Sequence, residues 1–373
     1  MSDALLLFEH TSLNGGERSL LVLLDELQAG GLQFKAVAQP HGPLATALAT
    51  AGLEAIPLPL LDERGAKRGR DQLRRDLADI IRRASPDLLH ANSLATSRLV
   101  GPVAADLRIP SLGHLRDILK LNAAAIEDLN HHDRLLAVSQ ATLDYHVAQG
   151  LEARRTYVAH NGVDVQQFRP RAATGWLHNE LSLAPDTCLI GGVGQIILRK
   201  GWDVWLDAAA TVVRKNPRAH FVLVGQRHSE KRETRELEQR LRNAGRQQPL
   251  NGHLHWLGTR EKMERLLPEF AALAHAARQE PFGRVLLEAA ACGVPVVATD
   301  VGGTREIFGH ASPAADLIPV DDASSLAARI LDILNNPDLA RCRAAEAGQR
   351  VVQRFDHRRA ARMLLSHYEA VLA

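Results

Sequence analysis

Short apolar runs alternate with amphipathic helical stretches along the first half of the chain. Residues 4–8 and 34–38 have the length and apolar content of buried strands, and 18–28 has helical spacing between them. Gly30-Gly31 follows this helix, at the place where a glycine commonly ends one. Further predicted strands, with helical patterns between them, are 87–90, 111–115, 134–138 and 157–159. This alternation predicts an α/β fold with a parallel sheet and helices on both of its faces.

A polar stretch at 167–174, which contains Pro170, interrupts the pattern and is typical of a linker. The alternation then resumes, with strands predicted at 188–193, 221–224, 254–257 and 294–298 and helices at 202–215, 230–244, 263–270, 284–292 and 322–335. The sequence therefore predicts two Rossmann-like domains, 1–168 and 169–355, which face each other across a cleft. A last helix in the 356–373 segment is expected to pack back on the N-terminal domain or to stay on the second. Ligands of open α/β sheets bind at the carboxyl ends of the strands, so the cleft is the expected site.

Composition narrows the class of protein further. The length of 373 residues exceeds what one hydrophobic core usually supports, which agrees with two domains. A formal net charge of +2 and an aromatic content of 4% give no indication of nucleic-acid binding. No apolar run reaches the length of a membrane span and residues 1–7 form no signal peptide, so we expect a cytoplasmic protein. Cys188, Cys292 and Cys342 are too widely separated for a metal motif or a disulfide framework, and they suit a reducing compartment.

Basic residues are concentrated between positions 64 and 83. They are Arg64, Lys67, Arg68, Arg70, Arg74, Arg75, Arg82 and Arg83. Apolar residues at 73, 77, 80 and 81 share one helical face, so the segment predicts a helix that packs on the core and exposes a basic face. The alternative is contact of this 64–83 segment with an anionic acceptor or with an anionic membrane, at its inner face.

Two nucleotide-dependent chemistries lack their sequence motifs. The glycines after the 188–193 strand fall at 191, 192, 194 and 201, which is not the spacing of a dinucleotide fingerprint, and no P-loop accompanies them. Hydride transfer and ATP hydrolysis are therefore poor fits. No Asp-x-Asp pair signals a metal bound at a diphosphate, and no Gly-x-Ser-x-Gly elbow signals a serine nucleophile.

Three glycine-containing turns place anion-binding groups before predicted helices. Gly15-Gly16 precedes the first helix, and the absence of Cβ atoms lets a ligand approach the helix N-terminus. Arg199-Lys200-Gly201 precedes the helix at 202, where the helix dipole favours an anion rather than two cations. Gly283-Arg284 opens the helix at 284, whose first N–H groups would add to the site. Each motif alone is explained by an ordinary turn or a surface pair, whereas the last two together would hold a pyrophosphate and stabilise it as a leaving group.

Two carboxylates, Glu280 and Glu288, flank the start of the helix at 284. A bound diphosphate repels an ionised glutamate, which gains only by accepting hydrogen bonds from hydroxyls or from a cation. Sugars and riboses carry such hydroxyls, so we expect Glu280 to hold a transferred sugar and Glu288 a ribose. The alternatives are a helix-start charge at Glu280, a helix-surface charge at Glu288, and a pair of hydrolytic carboxylates.

The segment "EPFGRVLLEAAACGVPVVATDVGGTREI" at 280–307 closely resembles the donor-site signature of the retaining GT-B glycosyltransferases of family 4. Three other segments are similar to motifs of that family, in the expected order: "NGGERSLLVLL" at 14–24, "AHNGVDVQQF" at 159–168 and "VGQIILRKGWDVWLDA" at 193–208. The resemblance implies a GT-B fold with an N-terminal acceptor-side domain and a C-terminal nucleotide-sugar-binding domain. It also implies hexosyl transfer from a nucleotide diphosphate sugar, with retention at the anomeric carbon and with no metal or other cofactor.

The resemblance further implies roles for individual residues. Lys200 would hold the diphosphate with Arg199 beside it, while Glu280 would contact sugar hydroxyls and Glu288 the ribose. His114 would lie beside the sugar, so that His114, Glu280 and Lys200 form the expected catalytic set. The remaining expected donor-binding positions are Gly15, Gly16, Gln195, Phe282, Gly283, Arg284 and Val285. In such retaining enzymes the leaving phosphate guides the acceptor hydroxyl on the same face, so no protein nucleophile is needed.

The chain departs from the family pattern at three places. Gln195 stands where the family often has arginine, and Arg199 is expected to replace that cation; Gly225-Gln226-Arg227 replaces a Gly-x-Gly, and Ala276-Ala277 replaces Pro-Ser. The expected acceptor is a glycan or a lipid-linked molecule in bacterial cell-surface polysaccharide or lipopolysaccharide synthesis. The alternatives are a related sugar-nucleotide epimerase and a catalytically silent nucleotide-sugar-binding protein. The donor base, the sugar and the acceptor stay open.

Overall fold

The computed structural model describes residues 2–62, 64–309 and 314–373. The chain divides into two compact units, here called the first unit (Met1–Gly162 with Asp356–Ala373) and the second unit (Val163–Phe355). The division lies between Gly162 and Val163, whereas the sequence predicts it after residue 168. The chain returns to the first unit at Asp356, so the last helix of the chain belongs to that unit.

Each unit contains one parallel sheet. The strands of the first are β1 (Ser2–Leu7), β2 (Leu32–Ala38), β3 (Glu54–Pro57), β4 (Leu88–Ala91), β5 (Ser111–Leu115), β6 (Arg134–Ala137) and β7 (Thr156–Val158). Those of the second are β8 (Cys188–Val193), β9 (Ala219–Val224), β10 (Leu254–Gly258), β11 (Ala272–His275), β12 (Val296–Thr299) and β13 (Asp316–Ile318). The spatial orders are β3-β2-β1-β4-β5-β6-β7 and β10-β9-β8-β11-β12-β13. The strand order therefore reverses beside β1 and beside β8, the positions where ligands of such sheets commonly bind.

Helices connect the strands in both units. They are α1 (Gly15–Leu21), α2 (Leu24–Ala29), α3 (Pro43–Thr50), α4 (Arg70–Ala84), α5 (Leu94–Leu107), α6 (Ala123–Asn130), α7 (Gln140–Val147), α8 (Trp176–Glu180), α9 (Trp202–Lys215), α10 (Arg232–Ala244), α11 (Met263–Leu266), α12 (Arg284–Ala291), α13 (Thr304–Phe308), α14 (Ala323–Asn335), α15 (Pro337–Phe355) and α16 (His357–Leu372). None of the helices in the described ranges has both the length and the apolar content required to cross a bilayer.

Alternate side chains of β1 point into two separate cores of the first unit. Leu6 packs with residues of α1, α2 and α16, among them Leu24 and Tyr368. Leu5 packs on the opposite face with residues of α4 and α5, including Leu77. Because its two faces are both covered, β1 is continuously apolar from Ala4 to Leu7, as expected for a central parallel strand. The arrangement also places α16 in the core of the first unit.

The core of the second unit gathers around β8, β9 and α9. Trp205 of α9 is buried, and its ring meets that of Phe221 edge-on at 5.1 Å between centroids. Residues of α10 and α14 complete the cluster, including Leu241 and Ile330. The buried apolar face of α9 therefore anchors the end of the loop that precedes this helix.

Helix α4 confirms the packing predicted for the basic segment. It buries Leu73, Leu77, Ile80 and Ile81, and its arginines lie on the exposed or partly exposed side. Its apolar face is used inside the protein. The surface of α4 that other molecules can reach is therefore charged.

Three strands and the helix α15 were not predicted from the sequence, and two predicted helices differ from those observed. The predicted 263–270 helix is α-helical only to Leu266 and continues as a 3₁₀ turn. The predicted 18–28 helix is two short helices, α1 and α2, interrupted at residues 22–23. Strand β3 carries Glu54 and Pro57 at an exposed sheet edge, so it lacks an apolar strand pattern. The sequence of strand β11 is rich in alanine and suits a helix equally well. Strand β13 is only three residues long, which is too short for a clear strand pattern.

Candidate active site

The loops after β8 and β11 bring Lys200 and Glu280 together at one edge of the second sheet. These two strands are neighbours and parallel, so their carboxyl ends lie side by side. After β8 the chain passes through a 3₁₀ turn, Leu198–Lys200, and then enters α9. After β11 it runs through an irregular segment that contains Glu280 and leads to α12. The site predicted at this strand edge is thus assembled from two adjacent loops.

Gly201 allows these two loops to touch. Its φ is +62°, and a Cβ atom there would lie 1.9 Å from the carbonyl oxygen of Ala276. The loops are also joined by a backbone hydrogen bond, which Arg278 N–H donates to Arg199 O at 2.8 Å. Any side chain at position 201 would force the loops apart and carry Lys200 away from Glu280.

One oxygen of Glu280 receives two hydrogen bonds. Lys200 Nζ lies 2.5 Å from Oε2, and His275 Nε2 lies 2.8 Å from the same atom. Glu280 is 6% exposed and His275 is 4% exposed, so the cluster is nearly buried. The other oxygen, Oε1, has no hydrogen-bond partner among the described residues. The carboxylate is thus fixed through Oε2 and leaves Oε1 as a hydrogen-bond acceptor.

The protonation states of this cluster follow from its charges. Burial alone would raise the pKa of Glu280, but the Lys200 charge and the His275 hydrogen bond outweigh burial and hold the pKa well below its ordinary value. Burial and the nearby charges of Lys200 and Arg199 lower the pKa of His275. His275 is therefore a neutral donor at pH 7, and Glu280 is an ionised acceptor.

Helix α12 begins beside this cluster, and Glu288 lies one turn inside it. Gly283 is the N-cap residue, with a φ of +100° and no side-chain cap. Glu288 is 7% exposed, and its Oε1 accepts a hydrogen bond from Arg284 Nε at 2.6 Å. The alternative of a helix-surface charge at Glu288 is therefore wrong. Val285 is partly exposed in the first turn, where N–H groups lack partners within the helix.

The segment between Glu280 and α12 is anchored by Phe282. Its side chain is 1% exposed and meets the ring of Phe355 edge-on at 5.5 Å between centroids. Gly303 N–H, in the turn after β12, donates to Glu280 O at 3.1 Å. Phe282 can therefore offer a ligand only its backbone, which is the contribution that the family resemblance implies.

Arg278 holds in place the loop after β8, which carries Lys200. Its guanidinium makes two hydrogen bonds to Asp203, at 2.9 and 2.8 Å, and a third to Asp321 Oδ1 at 2.6 Å. It also donates to Leu198 O at 3.0 Å. A planar fork of this kind is strong and directional, so it fixes the loop relative to the end of β11.

Gln195 and Arg199 border the same loop. The indole N–H of Trp202 donates to Gln195 O at 2.8 Å, which closes the turn after β8. Arg199 is partly exposed, and its positive charge contributes to the lowered pKa of His275, after burial and Lys200. The compensation of Gln195 by Arg199 stays a prediction.

In the first unit, Arg116 connects Gly16 with His114. A Cβ atom at Gly16 would lie 3.0 Å from Arg116 Cδ, so the side chain lies directly against the glycine turn. Arg116 donates to Asn92 Oδ1 at 2.7 Å and to Asn161 Oδ1 at 2.7 Å, and its Nη2 lies 3.3 Å from His114 Nδ1. Gly15 opens α1, whose capping box is formed by Asn14 and Glu17.

The structure brings the predicted residues into two groups, one in each unit. Lys200, Glu280 and the 283–288 segment form one group with Gln195 and Arg199, while Gly16 and His114 belong to the other. Sequence reasoning missed His275, Arg278 and Arg116. His275 and Arg116 each lie at or just after a strand end, which is a usable signal, but nothing in the local pattern shows their partners. In the ranges that the structure describes, no group of three or more His, Cys, Asp or Glu side chains is arranged to hold a metal ion.

Comparison with protein families identifies the chain. Residues 13–167 match the family described as "Glycosyltransferase Family 4", and residues 177–351 match the one described as "Glycosyl transferases group 1". The first match lies almost entirely in the first unit, and the second match lies within the second unit. The chain belongs to the group 1, family 4 glycosyltransferases.

Relatives of this glycosyltransferase include several mannosyltransferases. The phosphatidyl-myo-inositol mannosyltransferase of Mycolicibacterium smegmatis is 27% identical over 377 residues, covering 96% of this chain and 90% of the relative. The GDP-mannose-dependent α-mannosyltransferase of Mycobacterium tuberculosis is 29% identical, covering 79% of this chain and 73% of the relative. The lipopolysaccharide core biosynthesis mannosyltransferase LpsB of Rhizobium meliloti is 27% identical, covering 64% and 66%.

Solved structures show the fold of this glycosyltransferase independently. The Anabaena Alr3699/HepE structure in complex with UDP-glucose has a TM-score of 0.85 at 23% identity, covering 99% of this chain and 100% of that one. TarM has a TM-score of 0.76 at 12% identity, covering 100% and 99%. The predicted GT-B fold is therefore confirmed.

Proposed function

We propose that this glycosyltransferase transfers a hexosyl group from a nucleotide diphosphate sugar to a glycan or lipid-linked acceptor, with retention of the anomeric configuration and without a metal ion. The proposal places the reaction in cell-surface polysaccharide or lipopolysaccharide synthesis. The observation that carries it is the buried Lys200–Glu280–His275 cluster beside the start of α12. It is supported by a related phosphatidyl-myo-inositol mannosyltransferase, by a related mannosyltransferase of lipopolysaccharide core biosynthesis, and by a structural neighbour in complex with UDP-glucose.

The cluster offers the two kinds of group that such a donor needs. A lysine ammonium has three donor hydrogens, and Glu280 takes one of those on Lys200, so two are available to a diphosphate. Around the start of α12, Arg199, Lys200 and Arg284 carry three positive charges against the two negative charges of Glu280 and Glu288. The excess positive charge and the helix N-terminus both favour a diphosphate there, and stabilise it as it leaves.

The two glutamates are assigned to hydroxyl groups. Glu280 Oε1 would accept from a sugar hydroxyl, because Oε2 is occupied by Lys200 and His275. Glu288, held by Arg284, would accept from the ribose. A general acid requires a raised pKa, whereas the pKa of Glu280 is shifted the opposite way. The proposal therefore gives Glu280 a role in alignment of the sugar rather than in proton transfer.

An acceptor with an apolar part and an anionic group would suit a cavity in the first unit. The volume of this cavity is about 1290 Å³, and its lining combines Leu60, Leu73 and Leu99 with Arg70 and Arg98. These arginines and Arg74 share the carboxylate of Asp128, at 3.4, 3.6 and 2.6 Å. Three positive charges against one negative charge leave an excess that favours an anionic acceptor.

Contact of the 64–83 segment with an anionic membrane is part of the same proposal, and it would be electrostatic because α4 buries its apolar face. Cosedimentation with phosphatidylglycerol vesicles should exceed that with phosphatidylcholine vesicles and fall as salt is raised. Arg64→Ala with Lys67→Ala, both exposed, should weaken it. Equal binding to the two kinds of vesicle would remove membrane contact from the proposal and leave the donor chemistry intact.

A thermal-shift screen tests the donor class. Nucleoside diphosphates and their sugars, including UDP-glucose and GDP-mannose, should raise Tm at saturating concentration, because a ligand that binds the folded state stabilises it. The best donor is then incubated with acceptor, and the anomeric coupling constant of the product shows whether configuration is retained. A chelator should leave turnover unchanged. Inversion at the anomeric carbon, or loss of turnover in chelator, would refute the corresponding part of the proposal.

A further inference from the structure

A chain of hydrogen bonds runs through the buried centre of the first unit and ends at His114. Tyr368 of α16 lies 2.5 Å from His90 Nδ1, measured from its hydroxyl oxygen. His90 Nε2 lies 2.8 Å from His114 Nδ1. Tyr368 and His90 are 0% exposed and His114 is 4% exposed, so water does not compete along this path.

The direction of each hydrogen bond is fixed by Arg116. A guanidinium group can only donate, and Arg116 Nη2 lies 3.3 Å from His114 Nδ1, so this nitrogen is an acceptor and carries no proton. The hydrogen between the two rings must then belong to His90 Nε2. His90 in turn accepts at Nδ1, from the Tyr368 hydroxyl.

Both imidazoles are neutral, which completes the assignment. Burial, followed by the charge of Arg116, lowers the pKa of His90 to about 3 and that of His114 well below its ordinary value. A neutral His114 with an unprotonated Nδ1 carries its single proton on Nε2. That nitrogen has no hydrogen-bond partner among the described residues, so its N–H is available to a ligand.

We propose that Tyr368, His90 and Arg116 are positioning residues that lock His114 as a neutral Nε2–H donor to a substrate oxygen. This inference rests on the proposed function for its substrate, an oxygen-rich sugar or phosphate group. It excludes His114 as a general base, since its Nε2 already carries the proton and its Nδ1 accepts from two neighbours. It also makes α16, at the far end of the sequence, part of the functional apparatus of the first unit.

Tyr368→Phe removes the first hydrogen bond of this series, the one to His90, with little change in the shape of the side chain. Without the hydroxyl, His90 can move its proton to Nδ1 and face His114 with an acceptor at Nε2. We expect kcat to fall on the order of 5- to 10-fold, the effect of one lost hydrogen bond in a buried site, with a smaller change in KM. The matched control is Tyr157→Phe, which removes a phenol hydroxyl whose one partner among the described residues is Arg154 O, and should leave kcat unchanged.

Nitrogen-15 NMR of histidine-labelled full-length protein reads the tautomer without any substrate. In the wild type, the His114 signals, assigned by their loss in His114→Gln, should show an unprotonated Nδ1 and a protonated Nε2. In Tyr368→Phe they should shift toward a mixture of tautomers. A wild-type His114 protonated at Nδ1, or a folded Tyr368→Phe variant with unchanged signals and unchanged kcat, would overturn the inference. If the wild type shows the expected tautomer but turns over no nucleotide sugar, the proposed function fails and the locked tautomer stands.

Discussion

Glu280 is almost fully buried and still ionised, because two donors converge on one of its oxygens. Lys200 supplies charge to Oε2, whereas His275 supplies direction through a neutral N–H group. A buried carboxylate that loses one of its hydrogen-bond donors is destabilised, because part of its charge is left uncompensated. Lys200 and His275 therefore both contribute to keeping Glu280 ionised in this position. At the scale of single residues, the proposed recognition of the sugar depends on this three-residue arrangement.

Replacement of His275 tests its share of that arrangement. His275→Leu leaves Oε2 with Lys200 alone, so Glu280 gains freedom to rotate, and kcat should fall about 5- to 10-fold. His275→Gln retains an N–H donor and should recover part of the activity. Steady-state kinetics of the two variants, with circular dichroism to verify folding, measure the effect. A leucine variant with wild-type kcat would show that His275 is only a packing residue.

Buried neutral histidines also determine how stability depends on pH. Burial lowers the pKa of His132 from its ordinary 6.5 to about 4. Below pH 6.5 the unfolded chain therefore binds a proton that the folded chain does not, so stability falls as pH falls, by about 1.4 kcal/mol per pH unit for each such histidine. Between pH 6.5 and 4, Tm of the wild type should decrease.

His132→Gln should make that decrease shallower, since it removes one of the histidines that stay neutral when folded. A distant exposed histidine gives the control, because His228→Gln should leave the slope of Tm against pH as it is in the wild type. Thermal unfolding followed by circular dichroism at several pH values measures both. An identical slope in wild type and His132→Gln would contradict the assignment.

At the scale of elements, two loops and the start of one helix form the proposed donor side of the site. Arg278 ties the loop after β8 to the end of β11 through Asp203 and Asp321. Arg278→Ala should free the Lys200 loop, raise KM for the donor several-fold and lower Tm. The control is Arg232→Ala, which breaks a single exposed ion pair with Glu236 and should change neither quantity measurably. Unchanged KM in Arg278→Ala would mean that the loop keeps its position without the clamp.

Some helices and strands could be predicted from the sequence, and others could not. Central strands such as β1 and β8 are mainly apolar and buried, and they could be predicted. Strand β3 could not, because an exposed edge strand needs no apolar pattern, and β11 could not, because its alanines suit a helix equally well. The Lys200 and Glu280 positions could be predicted from motifs. His275 contacts Glu280, only five residues away, whereas Arg278 contacts residues 75 and 80 positions away. No local sequence pattern indicates either set of contacts.

At the scale of the whole molecule, the family membership and the GT-B fold account for the order of the two units along the chain. The sequence could also indicate that the 356–373 segment is helical, but only the packing of Tyr368 and Leu364 shows that α16 completes the core of the first unit. A single amino-acid sequence does not show which residues that are distant along the chain come into contact in the fold. The His90–Tyr368 contact is the clearest instance, because it joins residues 278 positions apart.

The donor site is tested most sharply by the rate of nucleoside diphosphate release from the best-stabilising nucleotide sugar in the presence of acceptor. Wild-type protein is compared with Lys200→Ala, Glu280→Gln and Lys215→Ala, the last an exposed lysine at the other end of α9. Loss of a charge-assisted hydrogen bond in a buried site should lower kcat/KM at least about 10-fold in the first two variants, with no change in the third. Wild-type rates in folded Lys200→Ala and Glu280→Gln would contradict the assignment of this site.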